Sequence, residues 1–422
     1  MRIALISYEM PPDTAVGGIG TYVDQCARVL AARGHDVHVF AGSPTRSGVV
    51  KVDGVHVHRV QLPVERRKEF SRAIVPSFFQ ENRSLTFDVI EGPDFYAEAA
   101  GCAAAAPEVP LIVKLHMGAF AIQQVVARTL TPLQRLNKRL RALARNGYPF
   151  WHRAFGDNLA EWQHTRTADL IVAPCHAIAE WMRDAWNLSP ERMMVVPYPY
   201  VPPTHLLQIP IPTQSRVVTF VGRLEIRKGV IDLAAAIPQF LAQCPDWRVR
   251  FVGKSLSAPV AGMDMDKYIA RRIGAFSSKV EFVGSVPLGE IHKQLADTSI
   301  SVIPSVWENF PNVCLEAMSA GRAIIASRAG GMPEQLDGET CGVLVPPQKP
   351  KVLAGALIKL ARNASLRESL GAAARNRVQH AYGRAAIGPL LEDSYHRAVI
   401  SRQACTTPTQ YPAMECDAAN VH

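Results

Sequence analysis

The sequence predicts an α/β protein with two parallel-sheet domains, each assembled from strand–loop–helix units. Three observations point there. Short apolar runs such as Arg2–Ser7, Arg216–Val221 and Ser299–Ile303 have the length of buried strands, and each leads through a loop into a helical stretch. The same pattern restarts half-way along the chain. Between the halves, Pro197, Pro199, Pro202, Pro203, Pro210 and Pro212 crowd together as in a linker. The expected division is a first domain over 1–205 and a second over 206–384, with Gln403–His422 a polar, disordered tail.

Composition narrows the class. The chain has 422 residues, 48% hydrophobic and 20% charged, which suits a globular protein with two cores. No apolar run approaches the ~20 residues of a membrane-spanning helix. Met1–Met10 meets Glu9 and then a proline pair, so it reads as a first strand and not a signal peptide. Cys26, Cys102, Cys175, Cys244, Cys314, Cys341, Cys405 and Cys416 are scattered with no close pair. That spacing matches neither a zinc site nor a disulfide framework, and favours a reducing cytoplasm. A net charge of +9 points to anionic partners (nucleotide, nucleic acid or a membrane surface) without choosing among them.

In the first half, strand Arg2–Ser7 leads to Gly17-Gly18-Ile19-Gly20 and a helix to about Arg33, with Val23, Ala27 and Leu30 on one stripe. A Gly-rich turn at a helix N-terminus can bring backbone N–H groups to a phosphate, although most such turns are only tight turns. Asp36–Ala41, Phe87–Glu91 and Pro110–Leu115 are the next strands. The last delivers His116 to a strand exit, as a contact for a reacting group or as a loop histidine bonded to backbone. Val126–Arg153 holds seven Lys/Arg residues and no Asp or Glu, with Leu133, Leu136, Leu140 and Leu143 at helical spacing. Such a helix either lies on an anionic bilayer or packs its leucines on its own domain with a solvated basic face. No nucleic-acid recognition motif accompanies the charge. Ala168–Pro174 and Met193–Val196 complete the first sheet.

In the second half, Arg216–Val221 exits into Gly222-Arg223-Leu224-Glu225-Ile226-Arg227-Lys228-Gly229 and a helix to about Gln243. Arg223 and Lys228 could clamp a diphosphate; alone, the loop would read as a solvated basic turn. Trp247–Val252 and Val280–Val283 extend the sheet. Ser299–Ile303 runs into Glu308, Asn309, Phe310 and Pro311, then a helix from about Asn312 to Ala320 closed by Gly321. Glu308 and Glu316 bracket that loop and can face one crevice. As acceptors only, two carboxylates suit a ligand rich in hydroxyls; the plain alternative is a solvated loop acid and a helix-favouring one. Ala323–Ser327 precedes Gly330-Gly331-Met332-Pro333-Glu334, Cys341–Val345 is a last strand, and helices fill Lys349–Tyr382.

The order and spacing of Gly222-Arg223-Leu224, Lys228-Gly229, Glu308-Asn309-Phe310-Pro311, Glu316 and Gly330-Gly331-Met332-Pro333-Glu334 resemble the GT4 family of retaining, nucleotide-sugar-dependent glycosyltransferases. The Gly17-Gly18-Ile19-Gly20 turn is similar too, and the resemblance spans about residues 1–400. It implies the GT-B fold, two Rossmann-like domains facing across a cleft, with a C-terminal helix at about 385–402 returning to the first domain. It assigns Arg223 and Lys228 to the donor diphosphate and Glu316 to the ribose hydroxyls. Glu308, with the backbone of Asn309, Phe310 and Pro311, would hold the donor sugar. Gly17 and Gly18 would bring amides to the diphosphate from the opposite domain, and His116 would approach the transferred sugar. His116, Glu308, Arg223 and Lys228 are the implied catalytic set. No paired Asp cluster suggests a metal, so the cations are expected to serve instead, with no cofactor beyond the donor substrate.

The expected partners are a nucleotide sugar and a glycan or lipid-linked acceptor, at a cytoplasmic site that could be peripheral to a membrane through Val126–Arg153. A GT-B phosphorylase or epimerase and a non-catalytic nucleotide-binding module are the alternatives. The phosphorylase would need a pyridoxal-binding lysine region that is not evident. Two departures stand out: Pro197-Tyr198-Pro199-Tyr200 replaces the family's usual Gly-Val-Asp turn, and the loop bearing Glu91 and Asp94 carries no readable acceptor code.

Overall fold

The computed structural model describes residues 1–14, 17–129, 151–211, 214–260 and 262–406. The first sheet contains β1 (Arg2–Ile6), β2 (Asp36–Ser43), β3 (Gly48–Val52), β4 (Val55–Gln61), β5 (Val89–Pro93), β6 (Leu111–Lys114), β7 (Leu170–Ala173) and β8 (Met193–Val195). Their order is β3-β4-β2-β1-β5-β6-β7-β8. The second sheet contains β9 (Val217–Val221), β10 (Arg248–Val252), β11 (Val280–Gly284), β12 (Ile300–Ile303), β13 (Ala323–Ser327) and β14 (Val343–Val345), in the order β11-β10-β9-β12-β13-β14. All pairings in the second sheet are parallel. Parallel strands carry helices on both faces and so read as unbroken apolar runs; β6, β12 and β13 are buried at every position.

Each order reverses once, between β1 and β5 in the first sheet and between β9 and β12 in the second. Crevices at such switch points, outside the strands' C-terminal ends, are where open α/β sheets hold ligands. The loops that meet there follow Ile6, Pro93, Val221 and Ile303.

A hairpin escaped the sequence reading. β3 and β4 form an antiparallel hairpin at the sheet edge, within a stretch where no strand was expected. No residue of β3 is buried, and its Val49, Val50 and Val52 are exposed at the sheet edge, interrupted by Lys51. Its signal was the turn: Asp53 and Gly54 both adopt positive φ, 50° and 83°, as an Asp-Gly hairpin turn does.

The two halves share a core. Trp307, Phe310 and Cys314 belong to the same buried cluster as Leu115, Tyr198 and Tyr382. After β8 the chain crosses over, and Tyr200 N–H donates to Tyr382 O at 2.8 Å, where the return segment leaves the second half. The helix Arg384–Thr406 then lies on the first half. Its Tyr395 hydroxyl donates to Glu91 at 3.0 Å, and Arg33 and His35 both reach its Glu392. Gln403–Thr406 continue this helix, contrary to the disorder expected from Gln403 onward, and 407–422 lie outside the described residues. In the basic segment, Val126–Thr129 end the helix Ala119–Thr129 and Trp151–Arg153 open the helix Trp151–Thr167; 130–150 lie outside the described residues. No helix among the described residues is long and apolar enough to cross a membrane.

Candidate active site

The second-domain wall is made of two loops drawn tightly together. Gly229, at φ 70°, sits where a Cβ would fall 1.9 Å from Pro304 O, so only glycine lets the β9 loop close on the β12 exit. That contact brings the Lys228 ammonium to Glu308, Nζ donating to Oε1 at 2.6 Å. Arg227 stands beside them, 3.6 Å from Glu308 and 2.8 Å from Glu225. Burial drives the Glu308 carboxyl upward, but the Lys228 and Arg227 charges outweigh it and hold it below the usual carboxylate range. Burial lowers Lys228. Arg223 is farther out, its side chain 59% exposed and paired with Glu225 at 3.2 Å. The two expected cations therefore pair with different acids, and Arg227, not singled out from sequence, contacts both acids.

Gly330 and Gly331 pack beneath the same loop. Gly331 N–H donates to Glu308 O at 3.0 Å, and a Cβ on Gly330 would lie 1.8 Å from that oxygen. Asn309 then reaches across to the first domain. Its Nδ2 donates to His116 O at 2.7 Å, Leu115 O at 3.2 Å and the Tyr198 hydroxyl at 3.3 Å. Phe310 packs against Tyr198 and Tyr382, each with centroids 5.4 Å away. Pro311 caps the helix Asn312–Ser319 without any side-chain bond, leaving the positive end of that helix open to the cleft. Within the helix Glu316 is only partly buried and makes no side-chain hydrogen bond or ion pair among the described residues. Burial pushes its carboxyl up to about 7. The nearby Tyr200 is buried, with Ser319 beside its hydroxyl.

Across the cleft, the helix Gly18–Ala31 begins without a side-chain cap at Gly17, and Gly18 faces Asn312, whose Nδ2 is 3.8 Å from where a Gly18 Cβ would stand. Two helix N-termini thus approach each other from opposite domains, neither capped by the side chain of its own N-cap residue. Beneath the turn lies an internal acid: Gly20 N–H donates to Glu9 Oε2 at 3.2 Å. Arg67 holds Glu9 at 2.5 Å and Glu98 at 2.8 Å. A phosphate approaching Gly17 and Gly18 would share this turn with a carboxylate, a feature the sequence did not reveal.

His116 is set at the β6 exit by buried acids. Asp94 accepts from His116 N–H at 2.9 Å and Gly118 N–H at 3.1 Å, while Glu161 accepts from Tyr96 N–H and Ala119 N–H, each at 3.0 Å. Burial raises Asp94 to about 6; burial and then the Asp94 charge raise Glu161 to about 7. The His116 ring shares a 2.7 Å hydrogen bond with the Tyr198 hydroxyl, and burial keeps it well below the ordinary histidine value and so neutral. Glu91 takes no part in the cleft, since the Tyr22 and Tyr395 hydroxyls both donate to it inside the core.

Comparison with known proteins decides the family. A family described as glycosyl transferases group 1 matches residues 204–377, and a glycosyl transferase 4-like domain matches 17–199. The chain belongs to the group 1, GT4-like glycosyltransferases. It is 27% identical to a D-inositol 3-phosphate glycosyltransferase of Corynebacterium aurimucosum over 94% of this chain and 96% of that one. Among solved structures, a sucrose-phosphate synthase from Thermosynechococcus elongatus superposes with a TM-score of 0.72 at 22% identity, covering 95% of this chain and 99% of that one. Anabaena HepE in complex with UDP-glucose superposes at 0.64 with 17% identity, covering 94% and 99%. The glycosyltransferase therefore has the GT-B fold, its two Rossmann-like domains facing across the cleft just described.

Of the residues expected at the site, Lys228 and Glu308 are paired, and Asn309 and His116 are joined across the domains. Arg223 and Glu316 stand apart from that knot. Asp94, Glu161, Tyr198 and Arg227 are functional candidates the sequence reading missed. Arg227 adjoins Lys228 and could have been weighed with it; Glu161 lies on the helix Trp151–Thr167 with no motif around it.

Proposed function

We propose that the chain transfers a sugar from a nucleoside diphosphate sugar to an acceptor hydroxyl with net retention of anomeric configuration, without a catalytic metal. The observation that carries this reading is the Lys228–Glu308–Arg227 knot, with the N-terminus of the helix Asn312–Ser319 beside it and that of the helix Gly18–Ala31 across the cleft. Leaving-group departure puts charge on the diphosphate. Fixed cations and N–H dipoles aimed at developing charge are the largest stabilisation a protein can supply. Lys228 and Arg223 take the diphosphate, the N–H groups at Gly17, Gly18 and Asn312 complete its cradle, and Glu316 accepts from the ribose hydroxyls.

Glu308, already engaged by two cations, positions the sugar and those cations and is not a nucleophile. Asn309, Phe310 and Pro311 hold their backbone against the sugar while Asn309 fixes the loop carrying His116. The neutral His116 ring lies beside the transferred sugar. UDP-sugars are the first donors to try, given that HepE binds UDP-glucose. A lipid-linked glycan acceptor on the inner membrane face is the reading that the basic sequence Val126–Arg153 suggests. Charge reversal at Arg135, Lys138 and Arg139 should then abolish co-sedimentation with anionic vesicles; unchanged sedimentation would remove the membrane from the proposal.

The direct test is a donor screen. Purified protein with UDP-, GDP-, ADP- and dTDP-sugars is assayed for nucleoside diphosphate release with and without EDTA. Release from one donor that survives EDTA and vanishes in Glu308→Ala is the expected result. No release and no binding of any donor would overturn the donor site.

A further inference from the structure

Histidines cluster toward the N-terminal ends of β2 and β4, at the end of the first sheet opposite the cleft. The parallel register sets His38 beside His56 and Phe40 beside His58. The His38 ring stacks on His56 at 4.6 Å and on His58 at 5.1 Å, and Phe40 stacks on His58 at 4.5 Å. The helix Val75–Leu85 covers this face, packing Phe78 on Phe40 and bringing Glu81 to the cluster.

The polar atoms form a line with three gaps. Asp36 Oδ1 is 3.3 Å from His38 Nε2, His38 Nδ1 is 2.9 Å from His58 Nε2, and His58 Nδ1 is 4.0 Å from Glu81 Oε1. Two neutral imidazoles carry only two N–H protons between them, and ionised Asp36 and Glu81 add none. One gap must therefore join two lone-pair atoms. A third proton would fill it only by placing a charge on a ring stacked between aromatic neighbours in the core. Placing the two protons in the two short gaps leaves His58 Nδ1 bare, and that atom is buried with no hydrogen-bond partner. Zinc-type ions bind imidazole nitrogen and carboxylate oxygen at about 2.0–2.2 Å, so one ion spans a gap of this width with little movement. A donor atom from each of His38, His58 and Glu81 lies within 4.8 Å of the others.

We propose that His58 Nδ1 and Glu81 Oε1 bind a divalent transition-metal ion of the zinc class, with His38 and Asp36 orienting His58 from behind. Solvent completes the coordination on the side of Glu81, whose side chain is 29% exposed. His58 donates its other N–H to His38, and His38 donates to Asp36, the outer-shell arrangement that fixes a ligating imidazole's tautomer. The ion pins the helix Val75–Leu85 to the sheet and stands apart from the transfer chemistry.

The experiment is calorimetric titration of the metal-free full-length chain with zinc chloride, paired with thermal melts. Expected are one zinc site per chain, at least a tenfold loss of affinity in His58→Gln and in Glu81→Gln, and no change in His56→Gln. Zinc should raise the Tm of the wild type and leave that of Glu81→Gln unmoved. Glu81 is partly exposed on a surface helix, so its variant keeps the test valid should His58→Gln not fold. Equal zinc affinity in wild type and Glu81→Gln would overturn the site, as would a wild type that takes up no zinc. Loss in His56→Gln with Glu81→Gln intact would overturn it too, placing the ion on Asp36, His38 and His56.

Discussion

The two walls of the cleft are built on opposite plans. The second-domain wall presents charge: Lys228, Arg227 and Glu308 are side chains of two strand-exit loops, locked by glycines that let those loops touch. The first-domain wall presents backbone, and its acids face inward. Asp94 and Glu161 spend their oxygens on the N–H groups of the loop that carries His116. A charged ligand can be recognised by a few cations almost regardless of the backbone around them. A neutral hydroxyl must be met by shape, and shape in a loop has to be held from behind.

The sharpest way to break this contrast is Lys228→Ala, which removes a cation from the proposed leaving group and leaves a buried carboxylate with one partner fewer. A fall in kcat/KM of about 10²–10³ is expected, corresponding to about 2.7–4 kcal/mol. Arg223→Ala, at an exposed position, should cost less. Unchanged kcat/KM in both variants would remove the clamp from the account.

Next in size is Asp94→Asn, which turns an amide N–H toward a backbone N–H inside the core. A stability loss of about 1–3 kcal/mol is expected, with kcat/KM lowered through the loop that carries His116. Unchanged kcat/KM and Tm would mean that the His116 loop keeps its shape without Asp94.

Glu316 offers a test through pH. Its folded value of about 7 exceeds the ordinary 4.5, because burial disfavours the charged form. The folded state therefore binds this proton more tightly than the unfolded chain. The resulting contribution to stability is full below the ordinary carboxylate value and is lost as pH rises through about 7. Glu316→Gln, which cannot ionise, should gain Tm relative to the wild type above pH 7 and show less advantage near pH 4. A pH-independent difference would mean that Glu316 titrates as an ordinary surface acid.

The smallest effect concerns the seam between the walls. Glu334 of the second domain accepts from His176 N–H at 2.9 Å and Ala177 N–H at 3.1 Å, capping the first-domain helix His176–Trp186. Glu334→Gln should cost about 1 kcal/mol, read as a small drop in Tm. No change would leave Asn309 and the shared core as the ties that matter.

Much of this was legible in the chain. Every strand of the second sheet was expected within a few residues, because parallel strands buried on both faces advertise themselves as apolar runs between turn residues. Lys228, Glu308 and Asn309 were found because their loops follow such strands at short, fixed offsets. The hairpin β3–β4 was missed for the converse reason, its outer strand having no buried face. The cysteines drew the search for metal ligands, while His38 passed as a strand residue and His56 and His58 lay where no strand was expected. Their meeting depends on the register between β2 and β4, which local sequence does not state.

By itself, then, the sequence determined the alternation of elements, the restart after the prolines and the residues standing at the strand exits, all properties of neighbours along the chain. Which charges pair, which acids turn inward and which imidazole nitrogen is left bare were decided only by tertiary structure. Lys228 and Glu308 are 80 residues apart and Asn309 and His116 are 193 apart. Burial and pairing over such separations arise only when the sheets close on one core, and it is burial that turns an ordinary carboxylate or imidazole into a site.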